Sequence, residues 1–270
     1  MLNFLSLGSG SSGNCYLLYT ENDAIMIDVG IGIRSMKKYF REYGLQPSMV
    51  KHILVTHDHA DHIKSVGTVS GDFDIEVFAS KSVHAGIDRN YCVKRKIDAH
   101  RKRIINEGEF SFSVGDFSIT AFHVPHDSSD NIGYCVECEG VTFVLMTDVG
   151  HVTDEMKEMI GQANYLVLEA NFDDVLLANG PYPEHLKRRI TCGTGHLSNR
   201  KCAETIVECA SEKLKRVWLC HLSAENNRPE VALETVLCTL KANGFDTENK
   251  VKVEVLNRTR PTGAYELRLY

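Results

Sequence analysis

The feature that most constrains this chain is the six-residue segment His57-Asp58-His59-Ala60-Asp61-His62. It places three imidazoles and two carboxylates directly after the strand-like run Ile53-Leu54-Val55-Thr56. Neutral imidazole nitrogens and carboxylate oxygens are the protein ligands that zinc and similar divalent ions accept. In open sheets, ligands bind just beyond the carboxyl ends of strands. The segment therefore predicts a metal site at the end of a strand.

Composition places the chain among globular proteins. It has 270 residues, of which 43% are hydrophobic and 24% charged, and its net charge of -6 argues against a general coat for polyanions. No apolar stretch approaches the roughly 20 residues that cross a bilayer, and residues 1–7 lack the basic leader of a signal peptide. The nine cysteines, an odd number at scattered spacings, are typical of a reducing compartment. We therefore expect a cytoplasmic protein without a membrane segment.

The hydrophobic pattern predicts two β-rich halves with outer helices. Strands are expected at 2–7, 15–20, 24–28, 53–56, 76–79, 110–114, 117–124, 132–137, 141–147, 165–169, 216–220, 251–256 and 265–269, and helices at 34–43, 153–160, 200–212 and 229–242. This order indicates an α+β fold, a four-layer αββα sandwich. Because no repeat, linker or low-complexity segment interrupts it, we expect one hydrolase domain over residues 1–270.

The least regular stretch of the sequence is 179–195. It carries Lys187, Arg188 and Arg189 between glycine and proline residues. Connecting segments often carry binding residues on a rigid scaffold. We therefore expect a variable substrate loop here.

Two motifs are expected to have structural roles. The segment GSGSSG at 8–13 matches a dinucleotide fingerprint, but the strand-like residues that follow it cannot supply the helix N-terminus that a pyrophosphate needs. A hairpin turn with exposed amides near the site explains it better. Cys135 and Cys138 are three apart on a predicted strand, so they point to opposite faces and suit neither a redox pair nor a shared metal.

A dinuclear site needs about seven ligands, since one carboxylate usually bridges. The opening segment offers His57, His59, Asp61 and His62. Three further candidates follow predicted strands: His126, Asp148 and His221. Together the seven side chains complete a set for two divalent ions.

With these motifs the whole chain resembles the metallo-β-lactamase superfamily. The resemblance implies that one ion is held by His57, His59 and His126 and the other by Asp61, His62 and His221, with Asp148 bridging. It also implies that Asp28, at the end of the third strand, orients a ligand imidazole through its free N–H. An aspartate at the bridging position, where lactamases have cysteine, resembles the hydrolase and nuclease branches and disfavours antibiotic hydrolysis.

Finer segments resemble the YycJ/WalJ group of the superfamily, bacterial relatives of the nuclease branch. They are GSGSSGNC at 8–15, EAN at 169–171, GHLSN at 195–199 and CHLSAENN at 220–227. The resemblance implies exonuclease action on DNA. No insertion of about 200 residues follows the fourth motif, so the clamp domain of the larger nucleases is not expected.

The chemistry expected is hydrolysis of a phosphodiester by a water activated by two ions, zinc or manganese. Asp61 and His196 are the predicted catalytic residues, with His196 giving a proton to the leaving oxygen or bonding a phosphate oxygen. An exposed helix N-terminus near Arg200 would attract phosphate, and Ser198 and Asn199 would cap that helix. The predicted substrate-binding residues are Arg188, Arg189, Ser198, Asn199 and Asn226.

Three other functions are alternatives to DNA hydrolysis, and each requires a feature of its own. A thioester or lactone hydrolase would need a pocket for an acyl chain in place of a basic groove. A regulatory protein with little turnover would be favoured by a missing ligand motif, and none is missing. A di-iron electron-transfer protein normally needs a flavin domain, for which the chain has no room.

Overall fold

The computed structural model describes residues 1–106, 108 and 110–269. These residues divide into two compact units. The first lies within Met1–Thr120, Ser128–Ile132 and Asn257–Tyr270, and the second within Ala121–Asp127 and Gly133–Leu256. The strands form two seven-stranded sheets.

The first sheet is antiparallel at one edge and parallel at the other. In spatial order its strands are β14 (Thr262–Glu266), β1 (Asn3–Gly8), β2 (Cys15–Tyr19), β3 (Ala24–Ile27), β4 (Val50–Leu54), β5 (Glu76–Ser80) and β6 (Lys102–Ile105). Strands β3 to β6 run parallel, and β14, β1, β2 and β3 pair antiparallel. Buried aliphatic residues such as Leu17, Met26 and Ile53 form the core on this sheet.

Within the described residues the first unit has four α-helices: α1 (Ile33–Glu42), α2 (Ala60–Ile63), α3 (Val66–Phe73) and α4 (Lys81–Arg89). The sequence pattern predicted α1 and missed the other three. Glycine is a poor helix former, but in α3 and α4 close approach requires it. A Cβ on Gly67 would lie 1.9 Å from the Arg95 carbonyl oxygen, and one on Gly86 would lie 1.9 Å from Asp58 Oδ2.

The second sheet is also mixed. In spatial order its strands are β13 (Lys252–Val255), β12 (Arg216–Cys220), β11 (Tyr165–Glu169), β10 (Val141–Met146), β9 (Ile132–Cys138), β8 (Phe117–His123) and β7 (Ser111–Val114). Strands β10 to β13 run parallel, whereas β9 is antiparallel to β10. The carboxyl ends of β10 to β13 therefore lie at the same edge of the sheet.

The part of the second unit that the structure describes has five α-helices: α5 (Asp154–Gln162), α6 (Asp174–Asn179), α7 (Glu184–Thr191), α8 (Asn199–Cys209) and α9 (Pro229–Ala242). The predicted irregular loop at 179–195 is wrong, because α7 occupies its centre. The physical reason is the spacing of Leu186 and Ile190, which lie four apart on one helix face and pack with Phe172 and Leu177.

Two sheets flanked by helices confirm the predicted αββα fold class. The predicted bounds of β11, β12 and α9 match the structure. The last strand lies at Thr262–Glu266 rather than 265–269, since pairing with β1 sets its register. All nine cysteines are free, and Cys135 and Cys138 are both buried on β9. Within the described chain, no helix is long and apolar enough to span a membrane.

Candidate metal centre

The histidine-rich segment of the first unit follows β4 and forms the start of α2. His57 comes before the helix, His59 is its N-cap residue, and Asp61 and His62 lie in its first turn. The ring centroid of His57 lies 4.7 Å from that of His59 and 4.1 Å from that of His62. His57 and His62 are buried, while 23% of the Asp61 side chain is exposed. The sequence-predicted ligands of this segment thus lie side by side.

Asp28 fixes the orientation of His62. It follows β3 in a left-handed conformation, with φ 60°. Its Oδ2 accepts hydrogen bonds from His62 Nδ1 at 2.7 Å and from Thr56 Oγ1 at 2.8 Å, and its Oδ1 accepts from Thr56 N at 2.8 Å. Burial raises the pKa of Asp28, while the contacts with His62 and Thr56 oppose that rise. With Nδ1 protonated toward Asp28, the Nε2 lone pair of His62 can bind a metal.

Asn14 is a site residue that sequence reasoning did not assign a role. It follows the glycine turn between β1 and β2, which the sequence correctly predicted as a hairpin turn. Its Nδ2 lies 2.9 Å from His62 Nε2, and its backbone N donates to the Asp61 carbonyl at 2.7 Å. Nearby, a Cβ on Gly30 would lie 1.6 Å from that same carbonyl oxygen, so the backbones pack in direct contact. The sequence feature that could have marked Asn14 as a site residue is its position directly after the glycine turn.

In the second unit, Asp148, Glu169, His196 and His221 offer ligand atoms that all lie within 4.8 Å of one another. Asp148 follows β10 with φ 56°, and His221 follows β12 with φ 52°. Left-handed backbone at a non-glycine residue costs of order 1–3 kcal/mol and is concentrated at functional sites. The same local turn after a strand thus positions Asp28, Asp148 and His221.

Glu169, at the end of β11, is the buried acceptor of this second cluster. Its Oε1 accepts from His196 Nδ1 at 2.9 Å and from His221 Nδ1 at 2.8 Å. Its Oε2 accepts from the backbone N–H groups of Val149 at 2.8 Å and Leu197 at 3.0 Å. The carboxylate therefore connects β11 to the residues that follow Asp148 and His196. Sequence reasoning quoted this glutamate in a motif but gave it no role.

Electrostatics in this cluster favour a charged carboxylate. Burial disfavours the ionised form of Glu169, yet its contacts with His196 and His221 bring its pKa below the ordinary value. Burial likewise opposes the charged form of His196, but Glu169 beside it raises the pKa of that imidazole above its usual value. The ionised carboxylate of Glu169 thus faces the Nδ1–H groups of His196 and His221.

His126 borders this cluster, with its ring centroid 5.2 Å from that of His196. Its Nδ1 donates to the Gly195 carbonyl oxygen at 3.0 Å, and its Nε2 lies 3.7 Å from Asp148 Oδ1. Only 1% of its side chain is exposed. The structure therefore groups the predicted ligands His126, Asp148 and His221 with the predicted catalytic residue His196.

The predicted cations lie on α7. The side chain of Arg189 donates from Nε to Asp127 Oδ2 at 2.6 Å, so its charge is partly satisfied. Arg188 is exposed and has no ion pair with any residue the structure describes. Of the two arginines, Arg188 has the charge that remains available.

Three predicted substrate-binding residues are buried instead. Ser198 caps α8, accepting from Lys201 N at 3.2 Å. Asn199 forms a reciprocal amide pair with Asn227, at 2.9 and 2.8 Å, and Asn226 is 0% exposed. That these three residues contact substrate stays a prediction, and what the structure shows is their burial. The side chains of Ser198 and Asn199 form hydrogen bonds within the fold, whereas Asn226 Oδ1 is buried without a hydrogen-bond partner among the described residues. The N-cap residue and the first residue of α8 are therefore not exposed to an anion in this structure.

Comparison with known proteins places this architecture in a family. A model described as the beta-lactamase superfamily domain matches residues 24–222. Exodeoxyribonuclease YycJ of Bacillus anthracis is 31% identical over 261 residues, which cover 97% of each chain. Exodeoxyribonuclease WalJ of Streptococcus pneumoniae is 33% identical over 231 residues, covering 86% of this chain and 85% of WalJ.

A solved structure supports the fold. The metallo-beta-lactamase fold protein YhfI of Bacillus subtilis superimposes with a TM-score of 0.69 at 14% identity, covering 97% of this chain and 99% of YhfI. At that identity the likeness concerns the fold alone. From the family match and the identity to YycJ and WalJ, the chain belongs to the metallo-β-lactamase superfamily, in the group of the YycJ and WalJ proteins.

Proposed function

We propose that this chain is a metal-dependent exodeoxyribonuclease. Its support is the identity to two proteins named exodeoxyribonucleases over most of the chain, combined with His and Asp donors at the ends of strands. The proposed place of action is the cytoplasm, and residues 1–270 are proposed to work as one hydrolase domain.

The donor chemistry fits divalent metal ions. Three predicted ligand imidazoles use Nδ1 to donate to a protein acceptor: His62 to Asp28, His221 to Glu169 and His126 to the Gly195 carbonyl. Histidines that bind metals typically donate their other ring N–H in this way, which leaves Nε2 for the metal. At His62 a metal would replace the contact with Asn14. The proposed ligands of two ions, zinc or manganese, are His57, His59, Asp61, His62, His126, Asp148 and His221.

When bound, such ions supply a water activated near neutral pH and positive charge against phosphate oxygens. The chain's own groups would then move the protons. Asp61, which is partly exposed, is proposed to accept a proton from the attacking water. His196 donates its Nδ1 proton to Glu169, and when the ring is protonated at both nitrogens its Nε2–H is the proposed proton donor to the leaving oxygen. Glu169 orients that ring and stabilises its protonated form, since it raises the pKa of His196.

Phosphate binding is proposed for the arginines of α7. Arg188 is exposed, and Arg189 retains donors beyond the one used with Asp127. Cations of this kind neutralise backbone phosphates and release condensed counterions.

A substrate panel tests the proposal. Metal-loaded protein is incubated with single-stranded DNA, duplex DNA, RNA, a chromogenic phosphodiester and a thioester. We expect nucleotide release from the ends of DNA, absent in the Asp61→Ala and His62→Ala variants. Turnover confined to the thioester, with DNA left intact, would contradict the proposal.

A further inference from the structure

Tyr91 is the most exposed of the large hydrophobic side chains in the described chain, at 84%. It lies in the turn that follows α4. Tyrosine usually buries most of its ring, because the ring carries a large apolar area. A single exposed ring is common on protein surfaces, so its meaning depends on what surrounds it.

The turn that presents Tyr91 is firmly held. Asn90 Oδ1 accepts from Cys92 N at 3.0 Å, and Lys96 Nζ donates to the carbonyl oxygens of Ile87 at 3.1 Å and Asn90 at 2.7 Å. Val93, two residues after Tyr91, is buried with 2% exposure. The ring therefore projects from an ordered backbone, which reduces the entropy lost when it binds a partner.

The same turn is bonded to the histidine-rich segment of the first unit. Asn90 Nδ2 donates to the Asp58 carbonyl oxygen at 3.0 Å, and Asp58 lies between His57 and His59. Gly86 of α4 packs against the Asp58 carboxylate, where a larger residue would collide with it. Asn90, the residue before Tyr91, thus contacts the segment that carries the proposed metal ligands.

The segment 89–96 that contains Tyr91 is cationic, and the nearest carboxylate along the chain, Asp88, pairs with Lys102 at 2.6 Å. Residues 89–96 contain the cations Arg89, Lys94, Arg95 and Lys96 and no carboxylate. Arg95 pairs with Asp72 at 3.0 Å. The side chains of Arg89 and Lys94 are exposed, and neither forms a hydrogen bond or ion pair with a described residue. An exposed ring between two available cations matches a strand of nucleic acid, whose bases stack on aromatic rings while its phosphates attract cations.

We propose that Tyr91 stacks on an unpaired nucleobase of the DNA substrate and that Arg89 and Lys94 contact the phosphates beside it. This inference rests on the proposed function and specifies its substrate further. A base within a duplex already has both faces stacked. The ligand is therefore a single strand or the unpaired overhang of a duplex.

Equilibrium binding of labelled oligonucleotides tests the stacking contact, with chelator present so that no hydrolysis occurs. Base stacking on an aromatic side chain predicts that Tyr91→Ala weakens single-strand binding by roughly 5- to 100-fold. Tyr91→Phe keeps wild-type affinity, since the ring remains. One abasic position, found by scanning along the oligonucleotide, weakens wild-type binding by the same factor and has no further effect on Tyr91→Ala.

Charge is tested by matched variants. Arg89→Ala and Lys94→Ala should each make the dependence of log Kd on log salt shallower by about 0.7, as expected for one phosphate contact on a single strand. Lys81→Ala removes the same charge from the other end of α4 and should leave the slope unchanged. Val175→Ala, which trims another exposed side chain, should leave affinity unchanged.

Several outcomes would overturn the inference. Equal affinity of wild type and Tyr91→Ala on every single strand and overhang would remove the stacking contact, as would a Tyr91→Phe variant as weak as Tyr91→Ala. A Tyr91→Ala loss as large on blunt duplex as on single strands would exclude an unpaired base. If the wild type hydrolyses DNA while the Tyr91 variants match it, only this inference fails. If the wild type neither binds nor hydrolyses DNA, the proposed function fails with it.

Discussion

At the scale of single residues, two buried carboxylates organise the donors. Asp28 accepts from His62, and Glu169 accepts from both His196 and His221. Each carboxylate determines which ring nitrogen holds the proton and therefore which one remains for a metal or a substrate. Removing either charge should change which nitrogen of these rings holds the proton, while the chain stays folded.

The first prediction concerns Asp28→Asn. Asparagine tolerates the left-handed backbone and has nearly the same volume, but it lacks the charge that holds His62. We expect metal affinity or activity to fall by roughly 10- to 100-fold. Metal content after dialysis against a graded chelator measures this, and circular dichroism should show a folded protein. Asp74→Asn makes the same change at another left-handed residue, with φ 55°, and should retain metal fully. Global unfolding of Asp28→Asn would assign Asp28 a structural role instead.

The second prediction concerns Glu169→Gln. A glutamine has one acceptor oxygen in place of two, so at least one buried N–H donor loses its partner. We expect the free energy of unfolding of the metal-free protein to fall by about 1–3 kcal/mol. Urea unfolding in chelator measures it, with the exposed Glu158→Gln as the matched control. A stability equal to wild type would show that the four hydrogen bonds at Glu169 contribute little.

At the scale of elements, substitutions at two helix N-cap residues distinguish a structural role from a role in substrate binding. Ser198 caps α8 and Thr153 caps α5 through the same side-chain contact to the backbone. Both Ser198→Ala and Thr153→Ala should lower the free energy of unfolding by about 1 kcal/mol. Because Ser198 is buried, neither change should alter the affinity for DNA. A loss of DNA affinity confined to Ser198→Ala would indicate that Ser198 contacts the substrate, as the sequence predicts.

The two arginines of α7 test whether this helix contacts the phosphates of the DNA backbone. Each phosphate contacted steepens the fall of affinity with salt by roughly 0.7 to 0.9 log units per log unit. In a His59→Ala background, which should not hydrolyse DNA, we expect the Arg188→Ala/Arg189→Ala double variant to show a shallower slope than its parent. Lys250→Ala removes an exposed cation after α9 and should leave the slope unchanged. Coinciding slopes for parent and double variant would place α7 away from the DNA.

At the scale of the whole molecule, the sequence predicted best what depends on local pattern. The strand-end positions of His57, Asp148 and His221 follow from apolar runs that end in polar residues, and α9 was bounded correctly by Pro229. What it missed depends on partners distant in the chain. Glu169 contacts His196 and His221, which are 27 and 52 residues away, so its role as their shared acceptor could not be assigned from the local sequence.

Glycine and burial explain the other differences. Helices α3 and α4 contain glycines that local propensity treats as breakers, although close packing requires them. The burial of Asn226 is a tertiary property that no local sequence pattern shows. Net charge is equally uninformative about location. The chain is acidic overall at -6, while residues 89–96 form a local cationic segment.

We propose that DNA hydrolysis by this chain depends on bound divalent ions. The rate of nucleotide release from DNA, as zinc or manganese is added back to metal-free protein, tests this dependence. We predict no release without metal, a rise until about two ions are bound per chain, and no rise for Asp61→Ala at any metal concentration. Full activity in the metal-free protein, or a protein that binds two ions yet releases nothing from any DNA, would contradict metal-dependent DNA hydrolysis by this chain.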